Sequence, residues 1–463
     1  MFVLATVVAL SIAYDLMRMP IQRADALQDM LDVQSSPSIY ATFVGNLGGG
    51  ESTGGSSLLR PLKFAQIKVL FDLAGSHYWL VFRGFHSALL VAALLLFVRA
   101  LDVRTWTDFS AGTFALTIFT GLHTFAGTVR EAFPINHTLE IVVCCVMALN
   151  LVRSRGGPLI DAAAVATFLA ASLVLESGLL VWVIVATAWV TGSRGVSWKG
   201  VAAMTALLAV YLAARFFVLS VSYPGLGERS SGFLFEVLEG ADLQRRFGDQ
   251  RILFYAYNVT ASILSVLFSE PQAGVFGFLR SVRDGDVPPY LVVAVVSSFA
   301  TTALIAWMAV ARGVAAARAG EPRWFLLFGA VLLANAAISF AYTKDEIVCL
   351  AGVLYACAAF GAVRMLLEWE PPWRGRVTRV AVSALLILIS TLWAFRSAGL
   401  HQVLRVQAWK QQNEWARHDE DSVASASDSP AARLTRQLRA DALSLKVPTP
   451  DLYGRWVERW WGE

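Results

Sequence analysis

The sequence is short of charge. Only 16% of its 463 residues are Asp, Glu, Lys or Arg, whereas 56% are hydrophobic, and an ordinary soluble chain is about a quarter charged. The mean hydropathy is +0.57. This shortage excludes an ordinary soluble domain. Long apolar runs separated by short basic segments are instead typical of a polytopic, all-α membrane protein. The runs are too long for barrel strands, which need only about 10 residues.

Several chemical signatures are also missing. The chain has four cysteines, all inside apolar runs, so we expect them to pack and not to form disulfides. No tight His/Cys spacing predicts a metal site. The glycine-rich stretch "GNLGGGESTGGSS" lacks the G-K-[ST] ending of a phosphate loop, which leaves a mobile loop over a cleft or a linker. Arginines cluster at helix ends, so nucleic acid is not an expected partner.

The apolar runs predict about twelve membrane spans. The first run, "MFVLATVVALSIAYDL", lacks the basic leading region and cleavage site of a signal peptide, so we interpret it as a span. Each run approaches the ~20 residues that cross a bilayer. The predicted spans are 2–19, 80–101, 109–126, 138–152, 159–175, 177–193, 200–220, 252–269, 290–311, 324–341, 346–367 and 378–395.

Basic residues in every second short loop predict the orientation, because such loops stay in the cytoplasm. The extracytoplasmic loops are then 20–79, 127–137 and 221–251, and the first is the largest. Later arginines fit this pattern only if 252–289 begins and ends outside, as a re-entrant or interfacial hairpin around Pro271. That interpretation gives eleven spans and an outer C-terminus, and we prefer it to twelve.

Two regions follow from this division. Residues 1–396 form the predicted transmembrane domain. Residues 397–463 form a short polar tail with two helical stretches, which fits one tetratricopeptide-like hairpin and is too short for a solenoid of about three repeats.

The first outer loop carries the most chemistry. Asp25 and Asp29 are four residues apart, so on a helix they share a face with each other and with Asp32. The opposite side is apolar and suits a helix in the membrane interface, while the simplest alternative is a solvated helix. Arg60 stands before Pro61, which suits the first turn of a helix. The Arg60 guanidinium either donates two hydrogen bonds to a lipid phosphate or extends along the apolar surface to reach water at the membrane interface.

Other ionisable residues lie beside or within apolar runs, where charge is costly and usually functional. His86 follows the first loop on the apolar side of the next helix, where a histidine is more often a satisfied core residue than a ligand. Glu176 interrupts "LAASLVLESGLLVWVIV", and lies either at the outer surface or buried with a partner. The second outer loop, "GLHTFAGTVREAFPINHTLE", gathers several more at one helix junction: His123, Arg130, Glu131, Asn136, His137 and Glu140.

The order of these motifs resembles the GT-C superfamily of polyprenyl-phosphate-sugar glycosyltransferases, most closely the protein mannosyltransferases and the TMTC type. The resemblance covers roughly residues 1–440. It rests on "LLRPLKFAQIKVLFDLAG", the later "FHSALLVAALLLF" and "LHTFAGTVREAFPINHTL", the lone "LES" and "YTKDEIVCLAGVLYA" with Glu346 at the acid. Arg405, Trp409 and Pro430 are similar to the arginine, tryptophan and proline that lead from the last span into the tetratricopeptide helices of this family.

The resemblance implies a GT-C-like fold and an inverting membrane glycosyltransferase in the plasma (inner) membrane. The sugar would pass from a polyprenyl phosphate to an acceptor hydroxyl on a glycan, lipid or protein at the extracytoplasmic face. Asp25 is the expected general base. Arg60, Arg130 and Arg251 are expected to bind the donor phosphate, and Glu131 is a second catalytic candidate. Four residues are assigned supporting roles: His86, His123, His137 and Glu176.

One departure leaves alternatives open. The family usually places two adjacent acids in the first outer loop, whereas this chain has Ala24-Asp25. Altered acceptor chemistry, an acid borrowed from Glu131 and an inactive descendant all fit. No metal and no cofactor are assigned, although a divalent metal stays open. An O-antigen polymerase or ligase would place its large outer loop late in the chain, and a transporter or scaffold would line a mid-membrane path with polar groups.

Overall fold

A computed structural model describes residues 1–47, 59–131, 133–218, 240–268, 275–318, 324–341, 343–368, 375–417, 429–447 and 449. Within these ranges the side chains of Asp25, Val218, Gly240, Asp249, Arg376, Arg379 and residues 312–318 lie outside the description. The described residues are helices and connecting turns without a strand. The all-α class predicted from the sequence is confirmed.

The described helices follow one another along the whole chain. In order they are α1 (Phe2–Leu16), α2 (Ala24–Ser35), α3 (Ile39–Gly45), α4 (Pro61–Ala74), α5 (Tyr78–Leu101), α6 (Trp106–Gly121), α7 (His123–Val129), α8 (His137–Val152), α9 (Pro158–Val174), α10 (Leu180–Val190), α11 (Trp198–Ala213), α12 (Gly240–Phe247), α13 (Arg251–Phe268), α14 (Phe276–Asp284), α15 (Pro289–Arg318), α16 (Trp324–Ile338), α17 (Cys349–Glu368), α18 (Arg376–Ala416) and α19 (Pro430–Ser444). The glycine-rich residues from 48 to 58 and most of the predicted outer segment 221–251 lie outside the described ranges.

Many of these helices have the length and composition of membrane spans. A helix rises about 1.5 Å per residue, so about 20 apolar residues cover the ~30 Å hydrocarbon core. Six described helices meet that requirement: Tyr78–Leu101, Trp198–Phe217, Arg251–Phe268, Pro289–Ala311, Cys349–Glu368 and Val380–Ala416. Five shorter apolar helices accompany them: Phe2–Leu16, His137–Val152, Pro158–Val174, Glu176–Val190 and Trp324–Ile338. This set agrees with the prediction of a helical membrane protein.

Helix α17 forms the centre of the bundle. Every residue from Cys349 to Val363 is buried. The helix is rich in Ala and Gly, which allow neighbouring membrane helices to approach closely. A Cβ at Gly352 would come within 2.9 Å of the Thr124 hydroxyl, and one at Gly361 within 3.2 Å of the Trp324 ring. The core therefore depends on small residues here.

The connections between helices define two ends of the bundle. One end, here called the site end, holds the end of α1, helices α2 to α4, helix α7 and the starts of α5, α8 and α10. The opposite end holds the turn from α5 to α6 and the α8–α9 and α10–α11 connections, which are joined by the hydrogen bond that the Gly195 amide donates to the Val152 carbonyl at 3.2 Å.

A second, smaller core lies at the site end. It joins α2, α4 and the start of α5 to the C-terminal part of α18 and to α19. The Trp415 indole donates to the Ile21 carbonyl at 2.8 Å. Helix α18 is continuous through the predicted boundary at 396/397, and Leu400 and Leu404 are buried on either side of His401. The tail is therefore packed against the first loop.

Helix α13 ends inside the bundle. Its last carbonyls, at Leu267 and Phe268, accept hydrogen bonds from the hydroxyls of Thr302 and Ser298 on α15. Ring stacking joins Tyr257 on α13 to Phe276 on α14, with centroids 5.8 Å apart. The start of α14 therefore lies beside the middle of α13. Pro271 itself lies outside the described residues.

Candidate functional site

A carboxylate held by two guanidinium groups lies at the site end. Glu176 opens a 3₁₀ turn between α9 and α10, and Arg60 precedes α4 with Pro61 in its first turn. The Arg60 Nε and Nη2 atoms donate to Glu176 Oε2 at 3.1 and 2.7 Å. Arg215, on the π-helical turn after α11, brings its Nη1 to 3.3 Å from Oε1 and also donates to the Tyr211 hydroxyl at 3.1 Å.

This cluster has more positive charge than negative and little contact with solvent. The exposed fraction of the side chain is 20% for Arg60, 17% for Glu176 and 5% for Arg215. Glu176 Oε1 has the ion pair with Arg215 but no hydrogen bond of good geometry. Glu176 therefore combines features of both possibilities raised by the sequence: it lies in the turn between two apolar helices, and it is mostly shielded and paired.

A second cross-helix ion pair adjoins the first. Lys63, three residues after Arg60 on α4, places its Nζ 3.0 Å from Asp29 Oδ2, and both side chains are nearly buried. Asp29 lies on α2, whose Ala26, Met30 and Val33 pack in the second core. The predicted amphipathic helix exists, but its buried face contacts protein.

The acidic face of α2 includes the expected base. Asp25 stands one turn before Asp29 on this helix, but its side chain lies outside the described residues. Asp32 stands one turn after Asp29. Burial raises the pKa of Asp32 above its ordinary value of 3.8, the Gln28 hydrogen bond opposes the rise, and the charge of Asp29 adds to it.

His137 lies near the charges of Arg60 and Lys63. It is the first residue of α8, capped by the Asn136 side chain, and the charges of Lys63, Arg60 and Lys344 act on its ring. Its Nδ1 is buried and has no hydrogen bond of good geometry in the described structure, although the Ile135 backbone acts on the ring. Asp29 Oδ2 and Glu176 Oε1 also lack such a hydrogen bond, but each is in an ion pair. Buried polar atoms normally have good hydrogen bonds, so these three atoms favour a place where water or a ligand binds.

His86 has a different environment from the one expected of a ligand-binding residue. Its ring is fully buried, with Nδ1 3.2 Å from Arg83 Nη1 and Nε2 2.9 Å from Asn136 Nδ2. It is a core histidine in a network of side chains, as the simpler interpretation of the sequence had it.

The second-loop residues face another acidic segment. His123 Nε2 lies 3.3 Å from Asp345 Oδ1 and 3.0 Å from Ser265 Oγ. Glu346, next in the chain, is contacted by Lys344 at 3.6 Å and lies within the field of Arg130. Arg130 and Glu131 are half-buried at the end of α7.

Arg251 lies at the start of α13, where its Nη2 donates to the Gln244 side chain of the α12 segment at 2.6 Å. Ser265, which contacts His123, is 14 residues further along α13, or about 21 Å at the helical rise. Arg251 therefore lies beside α12, about four helical turns along α13 from the residue that contacts His123.

Sequence reasoning missed several members of these clusters. Arg215 and Arg83 stand within the apolar stretches "YLAARFFVL" and "YWLVFRGFH". A single arginine within an apolar stretch indicates a functional residue, so both could have been predicted from the sequence. The pairing of Lys63 with Asp29 and the presence of Asp345 beside His123 gave no such signal, because they depend on helix packing.

The described residues contain no group of three or more His, Cys, Asp or Glu side chains placed to hold a metal ion. Comparison with protein-family models, with curated proteins and with solved structures found no match to this chain.

Proposed function

We propose that the protein is a membrane glycosyltransferase with a GT-C-like fold, which moves a sugar from a polyprenyl phosphate to an acceptor hydroxyl at the extracytoplasmic face of the plasma (inner) membrane. One observation carries the proposal. Three cations, Arg60, Lys63 and Arg215, lie with two acids in a nearly buried layer at one end of an apolar helix bundle.

The shielded cations favour an anionic ligand. A charge removed from water is costly unless it is paired, and Arg60, Lys63 and Arg215 share only two acids in direct contact with them among the described residues, Glu176 and Asp29. A phosphate accepts charge-assisted hydrogen bonds from guanidinium and ammonium groups. A phosphate carried on a lipid reaches the end of an apolar bundle while its chain stays in the bilayer. These features together favour a lipid phosphate as the anion.

The reaction needs a base and a stabilised leaving group. Asp25 takes the proton of the acceptor hydroxyl, and the hydroxyl oxygen then forms a bond to the anomeric carbon. The bond between that carbon and the phosphate oxygen breaks, and its electron pair leaves with polyprenyl phosphate. The transition state is oxocarbenium-like. A single displacement inverts the anomeric centre.

In this proposal the remaining residues either bind the donor phosphate or hold the phosphate-binding groups in place. Arg60 and Arg215 stabilise the charge that grows on the leaving phosphate, and Glu176 holds both guanidinium groups in place. Arg130 assists from the second loop, where Glu131 is an alternative acid, and His123 and His137 support it. Arg251 belongs to the donor-phosphate group only if α12 approaches the lipid. The proposal needs no metal step.

The test compares two neutralising substitutions on one helix. Asp25→Asn removes the proposed base, and Asp32→Asn is the matched control on the same helix. Membranes containing each variant would be incubated with radiolabelled sugars on polyprenyl phosphate and with acceptor glycans. We expect Asp25→Asn to lower transfer at least about 100-fold, the typical worth of a general base, and Asp32→Asn to retain it.

Full transfer by Asp25→Asn would refute the assignment of the base. Absence of transfer by the wild-type chain with every donor would refute the enzyme and favour an inactive protein of the same fold. Transfer of a pre-assembled oligosaccharide from a polyprenyl diphosphate alone would favour the polymerase or ligase alternative.

A further inference from the structure

A buried arginine outside the proposed reaction connects the two loops that carry the site. Arg83 lies on the second turn of α5, and its side chain is fully buried. Its Nη2 donates to the Phe133 carbonyl at 3.2 Å and reaches the Pro20 carbonyl at 3.4 Å. Pro20 stands just before α2, and Phe133 stands just after Glu131. One guanidinium group thus contacts the backbone of both loops.

The same network continues to the start of α8. Both His86 nitrogens face donors, with Arg83 Nη1 3.2 Å from Nδ1 and Asn136 Nδ2 2.9 Å from Nε2. A neutral imidazole accepts at one nitrogen only, so one of these contacts is a hydrogen bond and the other is a packing contact. Asn136 Nδ2 also donates to the Thr128 carbonyl at 2.6 Å, while its Oδ1 accepts from the Leu139 amide at 2.9 Å. The network therefore reaches the last turn of α7 and the first turn of α8.

We infer that Arg83, acting through His86 and Asn136, is a positioning residue that fixes the first loop, the end of α7 and the start of α8 relative to one another. These segments carry Asp25, Arg130 and His137, so the spacing of base and phosphate-binding groups depends on it. Its consequence for catalysis rests on the proposed function, but its structural part does not.

An arginine suits this role for a geometric reason. Its planar group presents five donors in fixed directions, so it can bond two carbonyls and reach a ring nitrogen together. A lysine would present a single point of charge and hold fewer of these groups in register. Loss of the guanidinium would leave buried carbonyls without a donor, and the two loops would separate more readily from α5.

The test measures loop opening and transfer separately. Hydrogen–deuterium exchange of the purified protein in detergent would follow amides 24–35, 137–140 and, as a reference at the opposite end, 106–112. We expect Arg83→Gln to speed exchange at least tenfold in the first two segments and to leave the third unchanged. Sugar transfer should fall at least tenfold in kcat with a smaller change in KM for the lipid donor.

The matched control is Arg153→Gln. Arg153 is also partly buried, but it lies at the opposite end, 3.7 Å from Asp102 and over the Trp324 ring. It should leave exchange in both loop segments at the wild-type rate. If Arg83→Gln does not accumulate, Asn136→Ser serves instead, because serine can still cap α8 but cannot reach His86. It should speed exchange at 137–140 and in the last turn of α7.

Unchanged exchange in the loop segments, or an equal rise throughout the chain, would overturn the positioning role. Activity in Asp25→Asn would instead overturn the proposed function and would leave the exchange result standing. The two failures are therefore distinguishable.

Discussion

The two ends of the bundle handle charge differently. At the opposite end, Asp108 accepts hydrogen bonds from the backbone amides of Arg104 and Thr105, at 3.1 and 2.9 Å, and caps α6. The ion pairs there join Arg104, Arg153 and Arg364 to Asp102, Asp108 and Glu368, and several of these side chains are well exposed.

At the site end, a cluster of paired charges is shielded from water. Arg60, Lys63 and Arg215 face Glu176 and Asp29, and each of these side chains is at most 20% exposed. One oxygen of each acid is in an ion pair but has no hydrogen bond of good geometry. Charges that cap helices can stay solvated, whereas a shielded cluster of charges lowers stability unless each charge is compensated. This difference is the observation on which the proposal of an anionic ligand rests.

Neutralising the central acid should have the largest effect. In Glu176→Gln the two guanidinium groups of Arg60 and Arg215 face each other without compensation. Removing one partner of a buried ion pair costs about 3–5 kcal/mol, and we expect about 3 kcal/mol in the free energy of unfolding, because the cluster is partly solvated. Denaturant unfolding in detergent would measure it.

The matched variant at the opposite end is Asp102→Asn. Its carboxylate is 45% exposed, and exposed pairs contribute at most about 1 kcal/mol. Equal losses in the two variants would remove the distinction between the ends.

Two lysines on α4 allow a finer comparison. Lys63→Met breaks a shielded pair with Asp29 across two helices, and we expect it to cost about 2 kcal/mol, as for a buried charge left unsatisfied. Lys68→Met breaks a pair with Asp72 within one helix, where Asp72 is 46% exposed. That pair should contribute about 0.5 kcal/mol.

A double-mutant cycle of Lys63→Met with Asp29→Asn isolates the first pair. Coupling near zero would show that the Lys63 contact does not matter to stability. Melting curves of the single variants, taken at one detergent concentration, provide the comparison.

The pH dependence of α2 gives the smallest expected effect. Because burial raises the pKa of Asp32 in the folded state, the folded protein binds this proton more tightly than the unfolded chain. The Asp32 contribution is then most favourable below the ordinary pKa of 3.8 and is lost as pH rises through the higher folded value. Asp32→Asn resembles the protonated form, so it should melt at a higher temperature than wild type at pH 7, with a gap that narrows as pH falls.

Asp72→Asn is the control for this measurement, since it removes the partner of Lys68 and should not raise the melting temperature. A gap for Asp32→Asn that widens on acidification would have the wrong sign for a carboxyl with a raised pKa.

Periodicity and apolar length predicted the helical class and most of the bundle, because each depends on local sequence. They also predicted α2, whose Met30 and Val33 are buried as its pattern requires. The pairing of Arg60 with Glu176 joins residues 116 positions apart, and no local pattern contains that information. The same holds for the contact of the tail with the first loop through Trp415.

The central claim is that the shielded cations at the site end bind a lipid phosphate. The most direct test uses calorimetry to measure the affinity of farnesyl phosphate for three purified proteins: wild type, Arg215→Met and Arg153→Met. Hydrogen bonds to charged groups contribute about 1.5–3 kcal/mol, so Arg215→Met should weaken binding roughly 10- to 100-fold, while Arg153→Met should bind like wild type. Equal affinities in all three proteins, or no binding by wild type, would contradict the account.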